Sequence, residues 1–292
     1  MAPSVRIVLA LFTGSMAIAA EGPTDALAIM KKVAANTTAA TEARRQYVYK
    51  QKVRASMVRS DGQITCKESR EYTVVPQEAT TDKALVSLSG ECRQGKKMVP
   101  YSQPAPKNKD GEGDRENIES LVDDLVNAKD TRDGIPRELF PLHDEDLAYY
   151  KFSLKGETSL RGRRTYDILF EPIDIKDLCI HVGADNESPC HQWKGEAWID
   201  AEDYQPARID TETAKGVPWG VRVFLGINIR QLGFSINYQR VAENVWFPAT
   251  YGTEFRLVVF WGYKRTITLS MENTDFRKTD ASSAIHFDPP QP

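Results

Sequence analysis

The chain has 292 residues, 41% of them apolar and 27% charged, enough for one large β-rich domain or two small ones. Its 38 basic and 41 acidic residues give a net charge of −3, which offers no basic footprint for nucleic acid. Beyond the N-terminus no apolar run approaches the ~20 residues that a membrane-spanning helix needs.

Residues 1–20 have the three-part plan of a secretory signal peptide: Arg6, the apolar run Ile7 to Phe12, then small residues ending Ala17-Ile18-Ala19-Ala20. A periplasmic or secreted location is the expectation, with no transmembrane segment after signal cleavage and residues 21–292 forming a single domain. From Pro23 to about Arg45 the pattern is helical, capped by Thr24 or Asp25, with Leu27, Met30, Val33 and Ala34 on one face. Strands are expected at 46–59 and 63–75 around Ser60-Asp61-Gly62, because Asp-Gly between alternating runs signals a hairpin. A third strand covers 84–99, with a turn at Gln94-Gly95-Lys96, and the Pro-, Lys-, Asp- and Gly-rich residues 101–115 read as a loop.

A helical insertion is placed near 114–147. Ile118, Leu121, Val122, Leu125 and Val126 share one stripe over 116–129, and a second helical stretch spans 137–147. Strands resume at 149–157, 163–171, 193–200 and 205–213. The region 217–278 is then almost unbroken strand. Val221, Val223, Leu225, Ile227 and Ile229 alternate with polar or small residues. The parity then changes to Phe234, Ile236 and Tyr238, and the pattern resumes as Phe255, Leu257, Val259 and Trp261 and again as Ile267, Leu269 and Met271. Period two over this length means a broad antiparallel sheet with one apolar face that must be covered.

Candidate chemistry is sparse. Cys66, Cys92, Cys179 and Cys190 are an even set suited to an oxidising compartment. Of three possible pairings, Cys66–Cys92 and Cys179–Cys190 are expected, since each brackets a short segment. Cys179-Ile180-His181 with Cys190-His191 is the nearest approach to a zinc motif, but exported thiols oxidise first, so no metal and no cofactor is assigned. His143-Asp144-Glu145-Asp146 reads as a charged helix start. Gly90 to Lys96 has phosphate-loop spacing, but it lies strand to strand, with Lys97 where a hydroxyl residue belongs. No serine elbow, metalloprotease helix or dinucleotide fingerprint occurs, and no catalytic residue is assigned. The large residues Trp193, Trp198, Trp219, Trp246, Phe255, Trp261 and Tyr263 outweigh the thin helical cover, the usual setting of an apolar-ligand cavity.

The order of elements resembles the LolA/LolB-like superfamily of periplasmic lipoprotein carriers, sigma-factor-regulator sensor domains and lipid-binding lipoproteins. The resemblance rests on the N-terminal helix running into Tyr47-Val48-Tyr49 and on the mid-chain helical stretch. It rests also on Gly162 to Phe170, Gly195-Glu196-Ala197-Trp198-Ile199-Asp200 and Pro206-Ala207-Arg208-Ile209. It implies an α+β, mostly β fold: a strongly curved antiparallel sheet, or half-open β-barrel, covered by a few helices. It also implies non-enzymatic binding of an acyl chain, lipid or lipoprotein in the concave face.

On this reading Val223, Leu225, Ile227, Phe255, Leu257, Val259, Trp261, Ile267 and Leu269 line the site, and Leu121, Val122 and Leu125 plug it when empty. The alternatives are an envelope stress sensor or protein-interaction module of the same fold with a filled core and an envelope protein as partner, or a metal-dependent enzyme. An outer-membrane barrel is disfavoured by the Asp288-Pro289-Pro290-Gln291-Pro292 tail, which cannot close a sheet.

Overall fold

The computed structural model describes residues 25–76, 81–104, 113–127, 142–173, 193–213, 233–259 and 263–279. Helix α1 (Ala26–Arg44) is capped by the Asp25 carboxylate, which accepts the Leu27 amide at 3.1 Å. It buries Ile29, Met30, Val33, Ala34, Thr37 and Ala40, the i, i+3, i+4 spacing of one helical face. β1 (Tyr47–Arg59), β2 (Ile64–Pro76), β3 (Thr81–Gln94) and β4 (Lys97–Tyr101) follow as an antiparallel meander. The third expected strand is thus two, split at the turn read from the sequence, where Gly95 takes φ 61°. The phosphate-loop look-alike is this hairpin.

Helices α2 (Asp114–Asn127) and α3 (Asp144–Leu147) lie between the two halves of the sheet in sequence. The helical stretch expected at 137–147 is described only as the single turn of α3, and residues 128–141 lie outside the described residues. The second meander runs β5 (Tyr150–Leu160), β6 (Arg163–Pro172), β7 (Trp193–Asp200), β8 (Pro206–Thr213), β9 (Gly233–Ala242), β10 (Val245–Val259) and β11 (Tyr263–Lys278).

All eleven strands of the described residues form one curved, open antiparallel sheet, ordered β4-β3-β2-β1-β11-β10-β9-β8-β7-β6-β5. The first and last strands therefore pair at its middle, with Val53 opposite Met271, Ala55 opposite Leu269 and Met57 opposite Ile267. The curvature brings the β5–β6 turn back onto β9. Arg161 there (φ 52°) donates to the Tyr238 carbonyl at 3.1 Å and to Asn237 Oδ1 at 2.7 Å.

Alternation decides the two faces. Along β1, Tyr47, Tyr49, Gln51, Val53, Ala55 and Met57 are buried, and the in-register set continues through Ile267, Leu269, Met271, Tyr251, Ile236, Ile209, Ala197 and Ile168. The opposite face carries cross-strand ion pairs: Lys52–Glu71 at 2.6 Å, Lys50–Asp275 at 2.7 Å, Lys67–Glu91 at 2.8 Å and Arg54–Glu272 at 3.2 Å. Each such pair stabilises little, but together they mark an outward face built for water rather than hydrocarbon. Trp198, counted from the sequence among the large sheet residues in need of cover, belongs to this outer face: its neighbours Ala197 and Ile199 are buried, and Arg208 lies 5.3 Å from its ring. No helix among the described residues is long and apolar enough to cross a membrane.

Candidate functional site

Two helices cover the inner face. α1 rests on β10 and β5 and against α3, and α2 rests on β1 and β2. The two contacts differ in chemistry.

Under α2 the sheet presents a polar stripe. β2 turns Cys66, Glu68, Arg70, Tyr72 and Val74 inward, so that a carboxylate and a guanidinium occupy positions in phase with the apolar set. The Glu68 side chain is 0% exposed and that of Arg70 5%, and Arg70 Nε donates to Glu68 Oε1 at 2.6 Å. Charges this deep persist only when paired. Tyr101 on β4 donates its hydroxyl to Glu68 Oε2 at 2.7 Å. It reaches Glu68 across Gly90: a Cβ at Gly90 would sit 2.2 Å from the Tyr101 ring, so only a residue without a side chain permits the bridge. The Arg115 guanidinium of α2 covers the same ring at 4.1 Å and donates to Glu119 at 2.9 Å.

From α2, Asp123 Oδ1 accepts Arg70 Nη1 at 2.5 Å, although the Asp123 side chain is 56% exposed. Burial alone would lower the Arg70 pKa, but hydrogen bonds to Tyr72 and Asp123 and the charge of Glu68 outweigh it and raise it, keeping the guanidinium charged. Burial, then the bond to Glu68, pushes the Tyr101 hydroxyl above its ordinary range, so it donates as a neutral phenol. α2 is tied at both ends as well. Arg265 of β11 donates to Asp114 at 3.0 and 3.1 Å, and Lys83 of β3 donates to the Val126 carbonyl at 2.8 Å. Between these ties, Ile118, Val122 and Val126 are buried at i, i+4, i+8.

Under α1 the contact is mainly apolar and aromatic, with a buried cation, Arg44, donating to the Trp246 carbonyl at 2.9 Å. Tyr47, Tyr49, Phe247 and Phe276 pack with ring centroids 4.5–5.6 Å apart. The polar groups here fix a turn. Asp200 accepts Arg163 at 2.5 and 2.8 Å and the Glu202 and Asp203 amides at 3.1 and 2.9 Å. Asp203 Oδ2 accepts the Trp246 indole at 2.9 Å, and its carbonyl accepts Asn36 of α1 at 2.8 Å. Burial would raise the Asp200 pKa, but Arg163 and the two amides hold it below the usual carboxylate range.

Of the residues expected to line or plug the site, Ile267, Leu269 and Val122 are buried in one contiguous core, with Leu121 half-buried against it. Phe255, Leu257 and Val259 lie on β10, in register with Ile267, Arg265 and Tyr263, and Leu125 lies on α2; their side chains are outside what is described. Val223, Leu225, Ile227, Trp261, Cys179 and Cys190, with His181 and His191, lie outside the described residues altogether. Cys66 and Cys92 form the expected disulfide across β2 and β3, with Cα atoms 4.1 Å apart. Among the described residues no three or more His, Cys, Asp or Glu side chains gather as a metal ion would require.

The Glu68–Arg70–Asp123 cluster was not singled out from sequence. Its signal was there as two charged residues at inward parity between Cys66 and Tyr72.

No family model matches the chain, and no curated protein matches its sequence. Solved structures similar to it include a LolA superfamily protein from Nitrosomonas europaea, 12% identical, covering 88% of this chain and 95% of that one with a TM-score of 0.35. A DUF1329 family protein from Desulfovibrio piger is 11% identical over 89% of this chain and 96% of that one, with a TM-score of 0.37. A chain of the Pseudomonas aeruginosa MucA/MucB complex is 12% identical over 85% and 99%, with a TM-score of 0.23. Each is a distant likeness in sequence and in superposition, and the superfamily that the sequence resembles is among them.

Proposed function

We propose that this is an exported, non-enzymatic protein that binds acyl chains or other apolar groups on the concave face of its sheet, as a lipoprotein-carrier-like protein does, with α2 as a displaceable cover. One observation carries the reading: among its described side chains α2 closes an apolar face with three buried aliphatic residues, and it is held besides by polar ties to Arg70, Arg265 and Lys83. Ile118, Val122 and Val126 together contribute roughly 5–9 kcal/mol of burial, at about 1.5–3 kcal/mol for each side chain. An acyl chain of about fifteen methylenes gains on the order of 12 kcal/mol before ordering and association costs, more than the burial of those three side chains. The polar ties exchange for water when the helix lifts, and they re-form when the ligand leaves, which supplies release as well as grip.

Lipid extraction and mass spectrometry after gentle purification test the reading, together with titration by a fluorescent fatty-acid probe. A co-purifying lipid and saturable probe binding are expected. A reproducibly empty protein that also rejects the probe defeats it.

The half under α1 favours a second reading, a sensor or protein-interaction module with a filled core, because Ile29, Met30 and Val33 are at most 1% exposed. Hydrogen exchange separates the two. Acyl binding under α2 changes protection of the α2 amides and leaves α1 unchanged, whereas a filled module shows no response to lipid in either helix.

A further inference from the structure

The Arg70 guanidinium is incompletely satisfied where it lies. Its Nε is held by Glu68, and its Nη1 by Asp123 at 2.5 Å and more weakly by the Tyr72 hydroxyl at 3.4 Å. Its Nη2 is buried with no hydrogen-bond partner among the described residues. A buried donor of this kind carries a desolvation penalty until an acceptor reaches it. Asp123 does not fill that role: it meets the guanidinium through one oxygen only, on Nη1.

We propose that the ligand of the inner face is a long-chain carboxylic acid, whose carboxylate replaces Asp123 on Arg70 and takes Nη1 and Nη2 side by side; this rests on the acyl-binding reading above. A free carboxylate fits the flat fork of donors with two parallel bonds, a geometry that a carboxylate tethered to the helix does not reach. The exchange conserves charge, one carboxylate leaving Arg70 as another arrives, so the Glu68–Arg70 pair is never left with an uncompensated change beneath the helix. The departing group returns to water easily, being already 56% exposed. α2 thus stands in for both parts of the ligand, with Ile118, Val122 and Val126 in place of the chain and Asp123 in place of the head group. A neutral ester displaces the helix without replacing Asp123, and so binds more weakly.

The test compares cis-parinaric acid with its methyl ester by fluorescence titration of the full protein. The acid is expected to bind at least tenfold tighter. The charge-balanced double substitution Glu68→Gln with Arg70→Met is expected to bring that ratio close to one while ester binding persists. Should circular dichroism show the double variant unfolded, the wild-type protein with palmitate labelled at its carboxyl carbon gives a second readout. The bound carboxyl resonance is expected to titrate at lower pH than the same acid in detergent micelles. Equal binding of acid and ester, an unshifted carboxyl titration, or tighter binding of a long-chain alkyl phosphate each overturns the carboxylate assignment and leaves acyl binding standing. Rejection of acid and ester alike overturns both.

Discussion

Beneath α1 the sheet meets the helix with Ile29, Met30, Val33 and a cluster of aromatic rings, whereas beneath α2 it meets Ile118, Val122 and Val126 around a buried arginine and its carboxylates. Both helices lie on one face of one sheet, so the difference is not architectural. Apolar packing gains nothing from water until the whole interface opens, so on the proposed function the α1 half is the permanent core. The Asp123 carboxylate is already half in water, so on the reading proposed above α2 gives up its hold on Arg70 more readily than α1 gives up its packing. On the proposed function, the contrast makes α2 the movable element of this fold.

The largest expected effect tests the buried charge. Arg70→Met alone strands Glu68 without its guanidinium and is expected to cost about 3–5 kcal/mol, read as a lower urea midpoint. The double substitution with Glu68→Gln should cost much less than the sum of its parts, since the two residues form one unit. Next comes the same truncation under each helix. Ile29→Ala is expected to cost about 2–5 kcal/mol of global stability. Ile118→Ala, equally buried, should cost less globally and appear mainly as faster amide exchange within α2. Equal global costs at the two sites would erase the distinction between core and cover.

Acid gives a smaller effect, read here at Asp200 in the α1 half. The folded pKa of Asp200 is depressed, so its contribution is present above the unfolded value of about 3.9 and is lost as pH falls through the folded value. Asp200→Asn should therefore weaken the protein at pH 7 by about 2 kcal/mol and flatten its loss of stability below pH 4. The smallest effect has the opposite sign. Burial, then hydrogen bonding and charge from Glu196, raise the Asp167 pKa, so its contribution is present at low pH and is lost as pH rises through the folded value. Asp167→Asn is expected to gain up to about 1 kcal/mol at pH 7 and nothing at pH 3, measured by denaturant unfolding at the two pH values.

Much of the strand pattern was legible because alternation is a local property. Phe234, Ile236 and Tyr238, and then Ile267, Leu269 and Met271, share the inner face as their period of two requires. Ser60-Asp61-Gly62 and Gln94-Gly95-Lys96 fell at turns because glycine alone takes those backbone angles cheaply. The polar site was harder to see. Arg70 and Asp123 are 53 residues apart, and Tyr101 reaches Glu68 only because Gly90 lies between them on the neighbouring strand.

By itself the sequence determined the alternation of the described strands and which of their faces is apolar, and it favoured Cys66–Cys92 among three pairings, because each depends on neighbours along the chain. Only the tertiary structure decided that β1 and β11 meet at the centre of the sheet and that α2 settles on β1 and β2. It also placed one aspartate of α2 against a buried arginine. Those pairings are fixed by the closure of long loops and by which face remains to be covered, and neither quantity is written in any local period.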